Sequence, residues 1–295
     1  MKSKKALKTP LRYPGGKSRA ITKMAQYFPD FSEYTEFREP FIGGGSVAIY
    51  LTKMYPHLSI WVNDLYEPLA NFWIQLRESG KEMQDALVEL KNKHPNPDIA
   101  RKLFNDSKVV VNDSSKENFE RAVAFYIVNK CSFSGLTESS SFSKQASDSN
   151  FSLRGIEKLA EYSEIISDWK ITNYSYEHLM GDDLHQGIFM YFDPPYDIKD
   201  NLYGRKGEMH KRFDHDLFAR NCDLHTMDLM VSYNSDQLVR DRFKGWAAAE
   251  FDLTYTMRSV GEYMNDQQKR KELLLLNYGI KRLAEFDQSN EEESN

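Results

Sequence analysis

Hydrophobic positions along this chain change period several times, and the changes mark out a succession of elements. Ile188 to Phe192 is a short unbroken apolar run, as expected of a strand buried on both faces, and Pro194 and Pro195 must end it because neither can donate to a sheet ladder. Glu36 to Phe41 and Leu58 to Asn63 read as earlier strands; Trp169 to Asn173, Leu229 to Tyr233 and Lys271 to Tyr278 read as later ones. Helical spacing occupies Arg19 to Tyr27, Val47 to Lys53 and Glu67 to Lys93, the last stopping before His94-Pro95-Asn96-Pro97. Ser114-Ser115-Lys116-Glu117 has the form of a capping box opening an apolar helix through Ala122, Phe125, Tyr126 and Val128. Helices are also expected over Ile156 to Ile166 and Leu217 to Leu224. Strand and helix alternate, which predicts an α/β fold built on a parallel sheet. The chain shows no internal repeat.

That alternation lapses before about residue 165. Residues 132 to 152 are rich in serine, with Phe133, Phe142 and Phe151 interspersed, and read as a loop or hairpin. The lapse predicts a second unit inserted into the sheet domain.

Composition narrows the class. With 295 residues, 40% hydrophobic and 13% aromatic, the chain can bury one large core, alone or with an inserted module. No apolar run reaches 18 residues and Met1-Lys2-Ser3-Lys4-Lys5 opens no signal peptide, so a cytoplasmic protein without membrane contact is expected. Cys131 and Cys222 have no metal-ligand or disulfide spacing and the seven histidines form no HxxxH pair, so no metal is expected. The net charge of -5 is unevenly placed. Lys2, Lys4, Lys5, Lys8, Arg12, Lys17, Arg19 and Lys23 carry eight positive charges with no acid among the first 23 residues, a segment suited to phosphates or, more plainly, to solvent. From Glu285 onward five acids and no base make a tail expected to be disordered.

Three constellations carry chemistry. The first is Asp193-Pro194-Pro195-Tyr196, at the carboxyl end of a strand, where ligands bind in open α/β sheets. A nucleobase amine is a poor nucleophile because its lone pair is delocalised into the ring. The Asp193 carboxylate could accept one amine hydrogen, the Pro194 carbonyl the other, and Tyr196 could stack on a base flipped from its duplex. A proline turn capping a strand is the plain alternative. The second is Phe41-Ile42-Gly43-Gly44-Gly45-Ser46 between a strand and a helix, followed 21 residues after Gly43 by Asp64, near the spacing at which an acid meets ribose hydroxyls. Either part alone reads equally as a tight turn or a helix cap. The third is Arg12-Tyr13-Pro14-Gly15-Gly16-Lys17, which sets an aromatic ring, a turn and a cation within six residues. Tyr13 could cover a ring and Lys17 could pair with a carboxylate, groups that an adenosyl cofactor with a methionine carboxylate offers.

In this order the motifs resemble those of the Dam-like DNA adenine methyltransferases, over roughly residues 10 to 280. The matching segments are Tyr13 to Lys17, Glu39 to Ser46, Asn63-Asp64 and Asp193 to Tyr196, with Lys271-Glu272-Leu273-Leu274 and Asn277-Tyr278 a looser echo of a last strand. The resemblance implies a Rossmann-like S-adenosylmethionine-dependent methyltransferase sheet with an inserted, mainly helical and hairpin target-recognition domain. The expected division is 1–75 with 166–280 as catalytic domain, 76–165 as recognition domain and 281–295 as tail. It implies S-adenosylmethionine contacts from Tyr13, Lys17, Phe41, Gly43, Gly44, Gly45, Asp64 and Asp193, with S-adenosylhomocysteine as product. It makes Asp193, Pro194, Pro195 and Tyr196 the clamp on the 6-amino group of a flipped adenine. Double-stranded DNA is then the partner, with a cognate restriction endonuclease as a further one.

Members that methylate GATC resemble one another in an Asn-Gly-Leu-x-Arg hairpin whose arginine reads guanine. Here Ser134-Gly135-Leu136-Thr137-Glu138 puts Glu138 at that place, better suited to a cytosine amine, and points away from GATC. Asp197 to Asp214 places Lys199, Arg205, Lys206, Lys211 and Arg212 around Tyr203 and Phe213, as expected of a lid on the DNA backbone. Residues expected to meet DNA are therefore Arg12, Lys130, Glu138, Lys199, Arg205 and Lys206. Related Pro-Pro motifs act on cytosine amines, RNA adenines and glutamine side chains; Asp193 with Tyr196 favours DNA adenine. A DNA-binding protein that has lost catalysis is a further alternative. A metal nuclease built on Asp197-Ile198-Lys199 is disfavoured by the lack of a suitably spaced Pro-Asp partner.

Overall fold

The computed structural model describes residues 8–135, 140–181, 187–196, 213–252 and 271–279. Among the described residues seven strands form one sheet: β1 (Glu36–Glu39), β2 (Ser59–Asn63), β3 (Lys170–Thr172), β4 (Ile188–Phe192), β5 (Asp228–Asn234), β6 (Ala247–Asp252) and β7 (Lys271–Leu276). Their spatial order is β3-β2-β1-β4-β5-β7-β6. The first five run parallel, whereas β7 lies antiparallel between β5 and β6. Strand order reverses between β1 and β4. Their carboxyl ends therefore flank a topological switch point, the crevice in which doubly wound sheets bind ligands. This is the mainly parallel α/β sheet that the alternation of elements predicts.

Apolar residues alternate sides along each strand, as a period of two requires. One buried cluster takes Phe37, Val62, Phe189, Tyr191 and Met230; the opposite one takes Trp61, Ile188, Met190, Phe192 and Val231. Helices Glu67–Lys93, Pro97–Val110, Asn118–Cys131 and Leu159–Ile165 contribute Phe72, Trp73, Phe104, Phe125 and Leu159 to the first cluster, with Asn118–Cys131 packed on Glu67–Lys93 and Pro97–Val110 on Asn118–Cys131. On the second packs His215–Leu224, through Phe218, Ala219 and Cys222. The long helix Glu67–Lys93 kinks at Ser79, and a Cβ at the following Gly80 would lie 2.3 Å from the Ser163 Cβ. Only glycine lets the two helices approach so closely.

Several local expectations are corrected. The helix at Arg19 to Tyr27 is broken into Ile21–Met24 between 3-10 turns. No capping box forms at Ser114: Asp113 accepts the Ser115 amide and hydroxyl, and the helix starts at Asn118. A backbone turn stabilised by an earlier aspartate wins there over the serine cap. The serine-rich stretch begins with the antiparallel pairing expected of a hairpin, but its second part turns to helix. Ser132 pairs antiparallel with Phe142, then Ser143 caps Lys144–Ser149 and Ser152 caps Leu153–Ile156. Pro97–Val110 and β6 were not anticipated. The first carried a signal in Asn96 before Pro97, an N-cap and an N1 proline. The second is an alanine-rich edge strand with weak alternation.

Candidate active site

Everything at the switch point gathers around Lys17. A 3-10 turn, Lys17–Arg19, follows the Gly15-Gly16 corner and drives the lysine side chain inward until it is 2% exposed. Its ammonium lies 2.7 Å from both Asp193 carboxylate oxygens, 2.9 Å from the Tyr196 hydroxyl, 2.9 Å from the Gly15 carbonyl and 3.3 Å from Glu272 Oε1. The Tyr196 hydroxyl donates to Glu272. Ser232, on β5, donates to Asp193 Oδ1 at 2.8 Å and sits 2.8 Å from the Tyr191 hydroxyl. Burial opposes the Lys17 charge, but Asp193, Glu272, Tyr196 and Tyr191 outweigh it and hold its pKa well above the ordinary lysine value. Lys17 therefore stays charged. Its hydrogens are engaged by protein groups, so it belongs to the Asp193 and Tyr196 cluster instead of standing ready for a ligand carboxylate.

Beside this cluster the glycine turn leaves β1. Gly43 (φ 48°) and Gly45 (φ 70°) occupy left-handed backbone, which side-chain-bearing residues rarely adopt. A Cβ at Gly43 would stand 2.9 Å from the Tyr13 ring, and one at Gly45 would stand 2.7 Å from Trp73. Tyr13 thus lies directly on the turn, while Trp73 supports it from below and donates to the Gly43 carbonyl at 3.1 Å. Asp64 at the end of β2 accepts from Gly43 N at 3.2 Å and Tyr66 N at 3.0 Å. Burial, only partly offset by those two amides, pushes its pKa up to about 6. Glu39 accepts the Ala48 amide at 3.0 Å, and burial, aided by Asp193 and Asp64 and opposed by Ala48 and Lys17, raises its pKa well above the ordinary glutamate value.

One cleft is shared by these parts. Tyr13, Lys17, Phe41, Gly43, Gly44, Asp64, Asp193 and Pro195 line it, together with Leu65 and Phe213. Phe41 packs among Tyr176, Phe192, Phe213 and Phe218, which makes an aromatic wall. The Asp64 carboxyl and a glycine turn beside an apolar wall suit a ligand that has a flat ring and hydroxyls.

The residues singled out from sequence at 13 to 17, 41 to 45, 64 and 193 to 196 are thus brought together. Those expected on DNA fare differently. Arg12 is half-buried and donates to the Ser132 carbonyl at 3.1 Å. Lys130 is corrected: it is 8% exposed, with its ammonium 5.2 Å from the Tyr126 ring centre, and burial, then Arg12, lowers its pKa to about 8. It packs inside the protein instead of presenting a surface cation. Glu138, Lys199, Arg205 and Lys206 lie outside the described residues. Lys17, counted above with the basic N-terminal segment, is not available to phosphate.

Three participants went unassigned in the sequence. Glu272 carried a signal, as a lone acid heading the apolar run Leu273 to Leu276. Ser232 and Trp73 carried none, because only the pairing of β4 with β5 and the helix packing bring them in. Asn129 also matters. Its side chain accepts from Arg12 N at 3.0 Å and donates to the Arg12 and Gly135 carbonyls at 2.6 and 3.0 Å, tying the segment before Tyr13 to the serine-rich loop.

Comparison with known proteins identifies the family. A family model for the D12 class N6 adenine-specific DNA methyltransferases matches residues 13–257, most of the chain. Type II methyltransferase M1.LlaDCHI of Lactococcus lactis subsp. cremoris is 23% identical, over 94% of this chain and 98% of its own. Type II methyltransferase M.CviBI of Paramecium bursaria Chlorella virus NC1A is 22% identical over 92% of this chain and 100% of its own. Type II methyltransferase M.MjaIII of Methanocaldococcus jannaschii is 23% identical over 63% and 68%.

Proposed function

The chain belongs to the D12 class N6 adenine-specific DNA methyltransferase family, and from that membership we propose that the cluster around Lys17 is the centre at which it methylates adenine in DNA. The protein is an enzyme, an adenine-specific DNA methyltransferase that uses S-adenosylmethionine. The residue roles that follow are our reading.

Features of the cleft support binding of that cofactor beside Lys17. The turn at Gly43 to Gly45 leaves backbone open to close approach, Asp64 stands at the end of β2 where ribose hydroxyls are met, and Phe41, Leu65 and Phe213 offer an apolar wall to a ring. When bound, S-adenosylmethionine supplies a methyl group already activated on a sulfonium. The protein's own work is then alignment. Asp193 accepts one amine hydrogen of a flipped adenine and the Pro194 carbonyl the other, which draws the nitrogen lone pair out of conjugation. Tyr196 offers its ring for stacking, with its hydroxyl held by Lys17 and Glu272 so that the ring has one orientation. Lys17 and Ser232 fix the Asp193 carboxylate itself. The reading needs no metal.

We further assign residues 76–165 to target recognition on double-stranded DNA, with 1–75 and 166–280 as the catalytic part. Glu138 in place of a guanine-reading arginine supports a target other than GATC. The Type II names of the relatives support a restriction endonuclease of matching specificity as partner.

The observation that carries this reading is the Lys17, Asp193, Tyr196 and Glu272 cluster beside the glycine turn. Asp193→Ala should abolish methyl transfer to adenine while the far-ultraviolet dichroism and melting profile stay close to those of the parent. Modification-sensitive single-molecule sequencing of DNA from expressing cells reads both the base and its context. Wild-type turnover in the variant would sink the clamp.

A further inference from the structure

Arg12, the residue before Tyr13, is held at both of its backbone groups by one side chain from a distant helix. Asn129 Oδ1 accepts from the Arg12 amide at 3.0 Å, and Asn129 Nδ2 donates to the Arg12 carbonyl at 2.6 Å. A side chain that meets both the N–H and the C=O of one residue fixes the peptide planes on either side of it, and with them the direction in which the next side chain leaves the backbone. That next side chain is Tyr13, which lies over Gly43, and a Cβ at Gly44 would stand 3.1 Å from its Cβ. Asn129 is 1% exposed, so water does not compete for its bonds. Tyr13 lines the cleft, whereas Arg12, Asn129 and Gly135 are not among the described residues that do. The same amide serves the serine-rich stretch: Asn129 Nδ2 also donates to the Gly135 carbonyl at 3.0 Å, and the Arg12 guanidinium donates to the Ser132 carbonyl. A Cβ at Gly135 would stand 2.7 Å from both the Cβ and the carbonyl oxygen of Arg12, so no side chain lies between the two segments to yield. The helix that carries Asn129 packs on Glu67–Lys93, whose Trp73 donates to the Gly43 carbonyl. Trp73 and Tyr13 thus grip the glycine turn from opposite sides, and both grips trace to this pair of packed helices.

We propose that Asn129 sets the affinity for S-adenosylmethionine from outside the cleft, by holding Tyr13 on the glycine turn, and that Gly135, at the start of the stretch assigned to target recognition, belongs to the frame of the cofactor site. This rests on the cofactor reading given above. Asn129 acts through Tyr13 and so is a positioning residue. A displaced Gly135 pushes on the Arg12 backbone and tilts Tyr13 off the turn, so a change in the recognition stretch is felt as a change in cofactor affinity. An anchor that merely fastened the N-terminal segment to the fold would lower stability on removal and leave the cofactor as tightly held as before.

The test is calorimetric titration of the full-length protein with S-adenosylmethionine, well below its melting temperature, paired with steady-state methylation of unmodified genomic DNA. Asn129→Ala should weaken the cofactor roughly tenfold, and its KM for the cofactor should rise while kcat at saturation changes less. Gly135→Ala leaves Asn129 in place and presses on Arg12 from the other side. It should weaken the cofactor in the same direction, and it carries the test should the Asn129 variant fold poorly. In a Tyr13→Ala background, Asn129→Ala should add less than about twofold, because both act through one contact. Gly80→Ala, strained where its helix crosses Ser163, should lower stability without moving cofactor affinity. Unchanged affinity in either folded variant, independent and additive losses from Asn129 and Tyr13, or an equal loss from Gly80→Ala would overturn the proposal. Wild-type affinity in Tyr13→Ala alone would instead refute the placement of the cofactor against the glycine turn.

Discussion

Asp64 shows how burial and ligand chemistry pull one carboxyl in opposite directions. Its pKa in the folded chain, about 6, lies above the ordinary 3.8. The native state thus holds that proton more tightly than the unfolded chain does, so the stability contributed by Asp64 is present at the lowest pH and is lost as pH rises through about 6. Cofactor binding runs the other way. A carboxylate can accept from both ribose hydroxyls, whereas the protonated acid loses part of that capacity. S-adenosylmethionine affinity should therefore fall several-fold as pH drops from about 7 to about 5, and Asp64→Asn should bind weakly at both with little slope. Calorimetric titrations at the two values check this; an unchanged slope in the variant removes Asp64 from the cofactor site. Asp64, Gly43 and Asp193 were legible in the sequence because each sits in a short segment whose composition already limits its backbone and chemistry. Glu272 and Ser232 were not assigned. Glu272 is marked locally only as a lone acid before Leu273 to Leu276, and its role, like that of Ser232, comes from strand neighbours, β7 beside β5 and β5 beside β4.

Among elements, the helix Asn118–Cys131 joins the segment before Tyr13 to the serine-rich stretch by one side chain near its end, Asn129. Its amide holds both the amide and carbonyl of Arg12 and the carbonyl of Gly135. A Cβ at Gly135 (φ 73°) would stand 2.7 Å from the Arg12 carbonyl oxygen, so the two segments are packed backbone to backbone. Asn129→Ala leaves these groups without their partner, at a cost on the order of 2–3 kcal/mol after water reaches some of them. Chemical denaturation should show that loss, and a change below about 0.5 kcal/mol would mean the clamp is dispensable. The helix itself was expected from its apolar positions, but its start was misplaced at Ser114, since competition between Asp113 and a serine cap is decided by geometry that residue types do not reveal. Strands buried on both faces were read well. The edge strand β6 was missed because one side of it faces solvent and its alanines carry little hydrophobic contrast.

At the scale of the whole molecule, an acidic protein that acts on DNA depends on where its bases lie. Lys17 is paired with Asp193 inside the protein, so any phosphate contact expected of the basic N-terminal segment falls to its other cations. Replacing Lys2, Lys4 and Lys5 together by alanine should reduce the slope of log affinity against log salt by up to about 3, since each lost phosphate contact removes roughly 0.9. Fluorescence anisotropy with duplex DNA at several salt concentrations measures it; an unchanged slope would place the DNA path elsewhere, while S-adenosylmethionine binding should stay as in the parent. The ion pair between residues 17 and 272 has a consequence for synthesis. A nascent chain that has emerged through β5 possesses the glycine turn, Asp64, Asp193 and Tyr196, yet lacks the strand that carries Glu272. The cluster around Lys17 is therefore completed only once β7 has been made, and a translation product cut short before β7 should carry the glycine turn and the Asp193 clamp yet fail to methylate DNA.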